Sequence, residues 1–335
     1  MTRAAWPLSR RLRAALAGAL LGAAACGAGE QAAGDSDGGE YPSRRLTWTI
    51  PFGPGGGNDR MARTLVEILG RYELYPLPIL PVNRAGGSGA QGWGQLYAAR
   101  GDVYHISTVS GSFIALPLQA DVPWGPGDFT PVALLAADDL VLAVPGDSPI
   151  GTFEDFVERA RETSPAIGGV GALSVDFMIV HHLGRLAGFE PRYVSFNAHG
   201  ELAAAALSRS LDAVVTSPGE GMGLLASGDL RPILYVGPEA PDWLAHVPTA
   251  PELGYEEAMI SMPRGVVLPP DVPDEVRQWW IEALRAAVET REWSDFLASN
   301  GLRPDLRFGD DFARYLEAVT GAFTEVFTEL GVLEP

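Results

Sequence analysis

The 335-residue chain has no lysine. All 24 of its basic residues are arginine, set against 42 acids, and the net charge is −18. Without a lysine amine there is no Schiff-base chemistry, no pyridoxal-lysine linkage and no P-loop contact to a nucleotide phosphate. The acid excess argues against nucleic-acid binding, which needs a basic footprint to displace counterions. A single cysteine, Cys26, excludes an internal disulfide and any CxxC-type zinc or redox site. Charged residues are 20% of the chain and hydrophobic residues 47%, a globular composition. The length suits about two domains. No stretch reaches 18 consecutive apolar residues, so no permanent membrane span is expected.

What is present begins with an export pattern. Arg3, Arg10, Arg11 and Arg13 form a basic start, and residues 14–25 follow as a short run of Ala, Leu and Gly. Twelve residues are too few to cross a bilayer, so residues 1–25 read as a signal peptide. The run ends in Ala23-Ala24-Ala25-Cys26, which resembles a lipobox. Cleavage would leave Cys26 N-terminal and lipidated; the alternative is an ordinary A-x-A signal with a stray cysteine. Residues 26–43 read as a flexible, lipid-attached tether. Removal of the signal leaves 20 arginines against 42 acids, or −22. The mature protein is expected in the periplasm or on the outer face of the cell membrane.

From Arg44 onward, short β-type runs alternate with helix-type segments, the pattern of an α/β protein with mainly parallel sheets. Residues 46–50, 104–109, 140–144, 193–196, 211–216, 233–236 and 265–268 read as strands. Met61, Leu65, Ile68 and Leu69 recur at helical spacing, and Thr152 is a candidate N-cap. Trp279-Trp280 reads as the contact of a C-terminal helix with the core.

Three glycine-rich loops carry the functional signal. The first, Phe52-Gly53-Pro54-Gly55-Gly56-Gly57-Asn58, lies between a strand and a helix start. Glycines there free backbone N–H groups to point at an anion, and the helix terminus adds a partial positive charge. No cationic side chain is evident in it, and Gly56 is expected to need glycine's backbone freedom. In the second loop, Gly87, Gly89 and Gly92 satisfy G-x-G-x-x-G. The dinucleotide reading needs a ribose-binding acid about 20 residues on, at a strand end. Asp102 is in range but precedes its strand. The third loop, Gly168-Gly169-Val170-Gly171-Ala172-Leu173-Ser174-Val175-Asp176, again leads into a helix, with Ser174 or Asp176 also able to serve as its N-cap. His181 and His182 are adjacent on a helix and diverge by about 100°, so no metal site is read there.

In one colinear order the chain also shows Pro51-Phe52-x-Pro54-Gly55-Gly56-x-x-Asp59, Asn83-Arg84-x-Gly86-x-x-Gly89-x-x-Gly92, Asp128-Phe129-x-Pro131-Val132, Leu211-Asp212-Ala213, Gly228-Asp229-Leu230-Arg231, Val247-Pro248-Thr249 and Arg264-Gly265-Val266-Val267. This set resembles the solute-binding proteins of tripartite tricarboxylate transporters, the TctC/Bug family. The resemblance implies an α/β, two-lobed periplasmic-binding-protein type II (Venus flytrap) fold. It further implies a non-enzymatic role: capture of a di- or tricarboxylate-type organic acid between the lobes and delivery to a membrane permease. Carried onto this sequence, the ligand-binding residues are Phe52 to Asn58 and Gly171, Ala172, Leu173, Ser174 and Asp176. Ser110, Gly111, Asn197 and Ser217 are secondary candidates. No cofactor, metal or catalytic residue is implied, and the protein is expected to be a monomer. Residues 44–137 plus 231–335 are expected to form lobe 1 and residues 138–230 lobe 2, with crossovers near 136–140 and 230–233. Phe177 stands where relatives often carry His, which counts against a citrate-like ligand. Pro263 replaces an aromatic residue, and Asn197-Ala198-His199-Gly200 lies where relatives vary. Two other functions fit parts of the pattern: a dinucleotide-binding oxidoreductase, and a lipoprotein that presents its ligand to a sensor.

Overall fold

The computed structural model describes residues 41–172, 174–196, 198–329 and 331–333. The expected signal peptide, Cys26 and most of the tether lie outside the described residues, as do Leu173 and Asn197.

Two sheets organise the chain. The first has the strand order β11-β4-β10-β3-β1-β2, built from β1 (Leu46–Ile50), β2 (Ile79–Asn83), β3 (His105–Val109), β4 (Thr130–Asp138), β10 (Met262–Leu268) and β11 (Arg303–Phe308). The second has the order β7-β6-β8-β5-β9, built from β5 (Leu140–Pro145), β6 (Ala166–Val170), β7 (Arg192–Phe196), β8 (Ala213–Thr216) and β9 (Leu230–Val236). Each sheet pairs three parallel strands, β2-β1-β3 in the first and β7-β6-β8 in the second. Each then admits one antiparallel strand, β10 or β5, and sets a further strand beside it. The two sheets therefore share a five-strand topology, to which the first adds β11 antiparallel to β4. They are mixed, not mainly parallel, because β5 and β10 each enter straight after the chain has crossed from the other sheet.

The parallel strands are joined by helices: α1 (Gly57–Arg71) and α2 (Ala90–Ala98) in the first unit, α5 (Val175–Ala187) and α6 (His199–Leu207) in the second. Short α3 (Gly111–Ala115) follows β3, α4 (Phe153–Thr163) follows β5, and α7 (Pro218–Ser227) follows β8. Helices α8 (Asp274–Val288), α9 (Arg291–Asn300) and α10 (Asp310–Glu329) complete the chain. Strands β4, β6 and β11 and helices α3, α7 and α9 were not legible from periodicity, and residues 168–170, expected to be loop, belong to β6. β4, TPVALLAAD, is buried along most of its length and so shows no alternation. β11 is an edge strand rich in charge with a proline inside it.

The crossing from the first sheet to the second takes a single residue, Asp139, between β4 and β5. The return lies later than the expected 230–233. β9 pairs with β5, so residues 231–236 stay in the second sheet and the chain leaves it after Val236. The glycine turn at Gly228-Asp229 starts an additional strand instead of a crossover.

Behind the first sheet, Trp280 of α8 is fully buried, stacks on Tyr75 at 5.5 Å and meets Trp48 edge-on at 6.3 Å. Aromatic burial on this scale stabilises by several kcal/mol, and it fixes α8 against the strands as the Trp279-Trp280 reading required. Helix α10 reaches across the chain, with Phe327 packing against Phe177 of α5.

Candidate functional site

In open α/β sheets, ligands bind beyond the carboxyl ends of the parallel strands, where neighbouring strands send their connections to opposite sides. That rule selects the loops after β1 and β3 in the first sheet and after β6 and β8 in the second. They contain Phe52 to Asn58, Ser110 and Gly111, Gly171 to Asp176, and Ser217. The two sets approach each other directly: a Cβ added to Gly111 would lie 2.7 Å from Val175 Cγ2.

The first loop is braced from below. Asp59 is buried and accepts from the Gly55 backbone N–H at 2.9 Å, from Asn83 Nδ2 at 2.8 Å and from Arg63 Nε at 2.9 Å. Asn83 Nδ2 also donates to the Phe52 carbonyl. Burial acts to raise the Asp59 pKa, but these donors hold it below the usual carboxylate value. The loop thus arrives at α1 in one shape. Helix α1 starts at Gly57, and its N-cap Gly56 has no side chain to bond the first turn, so among the described residues its leading N–H groups have no side-chain cap.

The loop is not without a cation. The Arg264 guanidinium, from β10, lies against Gly57 so closely that a Cβ there would be 2.8 Å from Nη2. Arg264 is 6% exposed and is ion-paired to buried Asp138 at the end of β4. Its sequence signal was an arginine heading the otherwise apolar run Gly265-Val266-Val267-Leu268. The need for glycine also falls elsewhere than expected. Gly56 has φ −74° and an added Cβ would meet nothing nearer than 3.9 Å. Gly55 has φ +85°, and Gly57 is the residue whose Cβ would displace Arg264.

The facing loop is tied to the second sheet. Gly171, at φ +84°, accepts from the Tyr193 hydroxyl at 2.7 Å and donates its N–H to the Phe196 carbonyl. Ser174 caps α5 through the Phe177 N–H, and Ser217 caps α7 through the Glu220 N–H. Both serines thus do structural work, which the sequence reading had allowed for Ser174 but not for Ser217. Asp176 is 2% exposed and accepts from the Val170 N–H at 2.8 Å. Burial, more than that hydrogen bond can offset, pushes its pKa up to about 7.

His199 of α6 and Glu220 of α7 were not singled out as site residues, yet they form an ion pair at this wall. Burial acts to lower the pKa of His199, but the Glu220 carboxylate outweighs it and the net shift is upward. For Glu220, burial acts to raise the pKa, and His199 followed by the more distant Arg264 and Arg60 brings it below normal. Glu220 and Asp138 also repel each other, which places the His199–Glu220 and Arg264–Asp138 pairs within one electrostatic neighbourhood.

The second glycine-rich loop has a packing explanation. A Cβ on Gly92 would lie 2.6 Å from Pro51 Cα, and Gly89, at φ +101°, sits against the Trp93 ring. This loop follows edge strand β2, and Asp102 is engaged with the Tyr104 N–H and with Arg44. A cavity of about 630 Å³ lies elsewhere, between residues 126–131 and α10. No residue of the facing loops lines it. Among the described residues, no group of three or more His, Cys, Asp or Glu side chains is arranged to hold a metal ion.

A family model described as "Tripartite tricarboxylate transporter family receptor" matches residues 62–331. The chain belongs to the TctC family. It is similar to the UPF0065 protein in the gbd 5′ region of Cupriavidus necator, with 23% identity over 321 residues and 95% of each chain covered. Among solved structures it resembles Rhodopseudomonas palustris Rpa4515 with adipate, at TM-score 0.76 and 22% identity, over 87% of this chain and 99% of that one. It also resembles MatC of Rhodopseudomonas palustris with bound malate, at TM-score 0.72 and 21% identity, over 85% and 99%. The chain is therefore a periplasmic-type solute-binding protein of the TctC family, with the two-sheet flytrap architecture of its structural neighbours. Phe177 contacts Tyr193, His181 and Phe327. At 8% exposure it packs α5 against α10 and offers no polar group to a ligand.

Proposed function

We propose that this protein captures a small organic acid through a carboxylate held between the loop Phe52 to Asn58, backed by Arg264, and the facing loop Gly171 to Asp176. Ser110, Gly111 and Ser217 complete the wall. The observation that carries this reading is the uncapped start of α1 with a buried guanidinium beside it, at the carboxyl end of β1. Charge-assisted hydrogen bonds to such an anion contribute on the order of 1.5–3 kcal/mol each. They can prevail over a net charge of −22, since distant acids are screened beyond a Debye length of about 8 Å. The role is capture and delivery without chemistry: the acid is passed to the permease subunits of a tripartite tricarboxylate transporter. The protein acts as a monomer, exported and tethered through lipid on Cys26. Lobe movement about Asp139 and the segment after Val236 opens and closes the cleft.

The test is a panel of malate, adipate, succinate, citrate and monocarboxylates, read by calorimetry and thermal shift. An acid at about 100 times its dissociation constant is expected to stabilise the fold by about 2.7 kcal/mol. A panel with no binder, or a response to NAD alone, would overturn the reading. For the anchor, a Cys26→Ser precursor is expected to lose membrane association; a wild type recovered fully soluble would contradict it.

A further inference from the structure

The charges and unpaired atoms around the cleft bear on the other end of the ligand, granted the carboxylate reading above. Asp138 and Glu220 meet Arg264 and His199 there, each of these cations already has an acid partner, and Arg60 stands farther from Glu220. A ligand carboxylate at the start of α1 draws on Arg264 and so leaves Asp138 less compensated. Two further atoms need partners: Asp138 Oδ1 and Asn58 Oδ1 are buried with no hydrogen-bond partner among the described residues. Asp138 is held by Arg264, and Asn58 lies in the first turn of α1 beside Gly57. Asp138 is 2% exposed and Asn58 4%. Both atoms are acceptors, and a buried acceptor without a donor costs about 1–3 kcal/mol.

An ionised second carboxylate brings only further lone pairs. It would leave both acceptors unsatisfied and place another negative charge beside Asp138 and Glu220. His199 Nδ1 also lacks a partner, but the charge of that ring is already matched by Glu220. A terminus that carries N–H groups reverses both penalties: it donates to the orphaned oxygens and, when charged, compensates the Asp138 carboxylate from which the ligand draws Arg264.

We propose that the cleft selects organic acids whose second end is a nitrogen donor, an ammonium or an amide, held by Asp138, Asn58 and Glu220, over dicarboxylates of the same length. The acid and amide sides of the site then set specificity, while the glycine loop supplies the general affinity for carboxylate.

Matched pairs test this by calorimetry at pH 7: succinate against β-alanine and succinamate, glutarate against 4-aminobutyrate and glutaramate, adipate against 5-aminopentanoate. The expected result is at least tenfold tighter binding of a nitrogen-terminated member than of its dicarboxylate. Preference for the ammonium alone marks charge as the selector, and equal preference for the amide marks the donor. Glu220→Gln, and independently Asp138→Asn, are expected to cut the preference for the ammonium to threefold or less, with urea unfolding used to verify that each variant is folded. Dicarboxylates that bind as tightly as their partners to the wild type would overturn this proposal and leave the carboxylate reading standing. A panel with no binder of any kind would overturn both.

Discussion

Asp138 and Asp139 are adjacent, both buried, each paired with an arginine, and they differ in almost everything else. Asp139 faces away from the loops and is saturated. It accepts from Arg303 Nε at 2.8 Å and Nη2 at 3.2 Å, from the Tyr235 hydroxyl at 3.2 Å and from Ser261. Those partners come from β11, β9 and the segment before β10, so one carboxylate ties together both places where the chain passes between the sheets. Asp138 has one partner, Arg264, and one oxygen with none. Successive residues of an extended strand point to opposite sides, so one step along the chain separates a structural knot from a site. A finished hydrogen-bond set marks the first, and an unfinished set beside a helix start marks the second.

The largest effect that would sharpen this contrast is at the knot. Asp139→Ala strands Arg303 without its buried partner and is expected to cost about 3–5 kcal/mol, measured as a fall in the urea midpoint. The molecules that remain folded should bind the acid as before. Asp138→Asn keeps the volume and is expected to cost about 1–3 kcal/mol, with its main consequence in ligand choice. Equal stability losses, or a binding defect confined to Asp139→Ala, would break the comparison.

Next in size is Asp176. Its carboxyl titrates near pH 7 when folded and near 3.8 when unfolded, so the folded state holds the proton more tightly. That group therefore favours folding at low pH, and its contribution falls as pH rises from about 4 to 7. Asp176→Asn should flatten this fall and be more stable than wild type at pH 8, on the order of 4 kcal/mol. An unchanged slope in unfolding experiments between pH 4 and 8 would contradict it.

Gly56 and Gly57 allow a finer cut, since the same methyl is added one residue apart. Gly57→Ala should push Arg264 aside and weaken carboxylate binding about tenfold, or 1.4 kcal/mol. Gly56→Ala, with open space at its Cβ, should bind within about twofold of wild type by calorimetry.

The smallest expected effect is at His199–Glu220. The pair is partly open to solvent, so His199→Gln should cost no more than about 1 kcal/mol. Its pH window follows from the two shifts. The His199 contribution, with a raised pKa, is complete below about 6.5 and lost as pH rises through the folded value. The Glu220 contribution, with a lowered pKa, is complete above about 4.5 and lost as pH falls through the folded value. Loss of stability on His199→Gln should therefore be greatest near pH 5.5; a loss that grows toward pH 9 would contradict the assignment.

The glycine loops and the family were legible in the sequence because backbone requirements leave local marks. A positive φ at Gly55 or Gly171 demands glycine, and a strand–loop–helix order shows in periodicity. Arg264, Asp138, His199 and Glu220 left no such mark. Arg264 and Asp138 are 126 positions apart and meet only because β10 enters the first sheet beside β4. His199 and Glu220 meet because α6 and α7 follow neighbouring connections of the second sheet. Pairings made by strand order cannot be read from spacing. The same holds for the return crossover, where a glycine turn at 228 looked like a boundary and β9 closed the sheet instead.

The central claim is that one carboxylate of the ligand sits at the uncapped start of α1 against Arg264. A crystal structure of the protein with the tightest-binding acid of the panel tests it most directly. The account predicts the carboxylate within hydrogen-bond distance of the backbone N–H groups that open α1, with the Arg264 guanidinium beside it. A ligand whose carboxylate lies elsewhere, such as in the cavity beside α10, would contradict it.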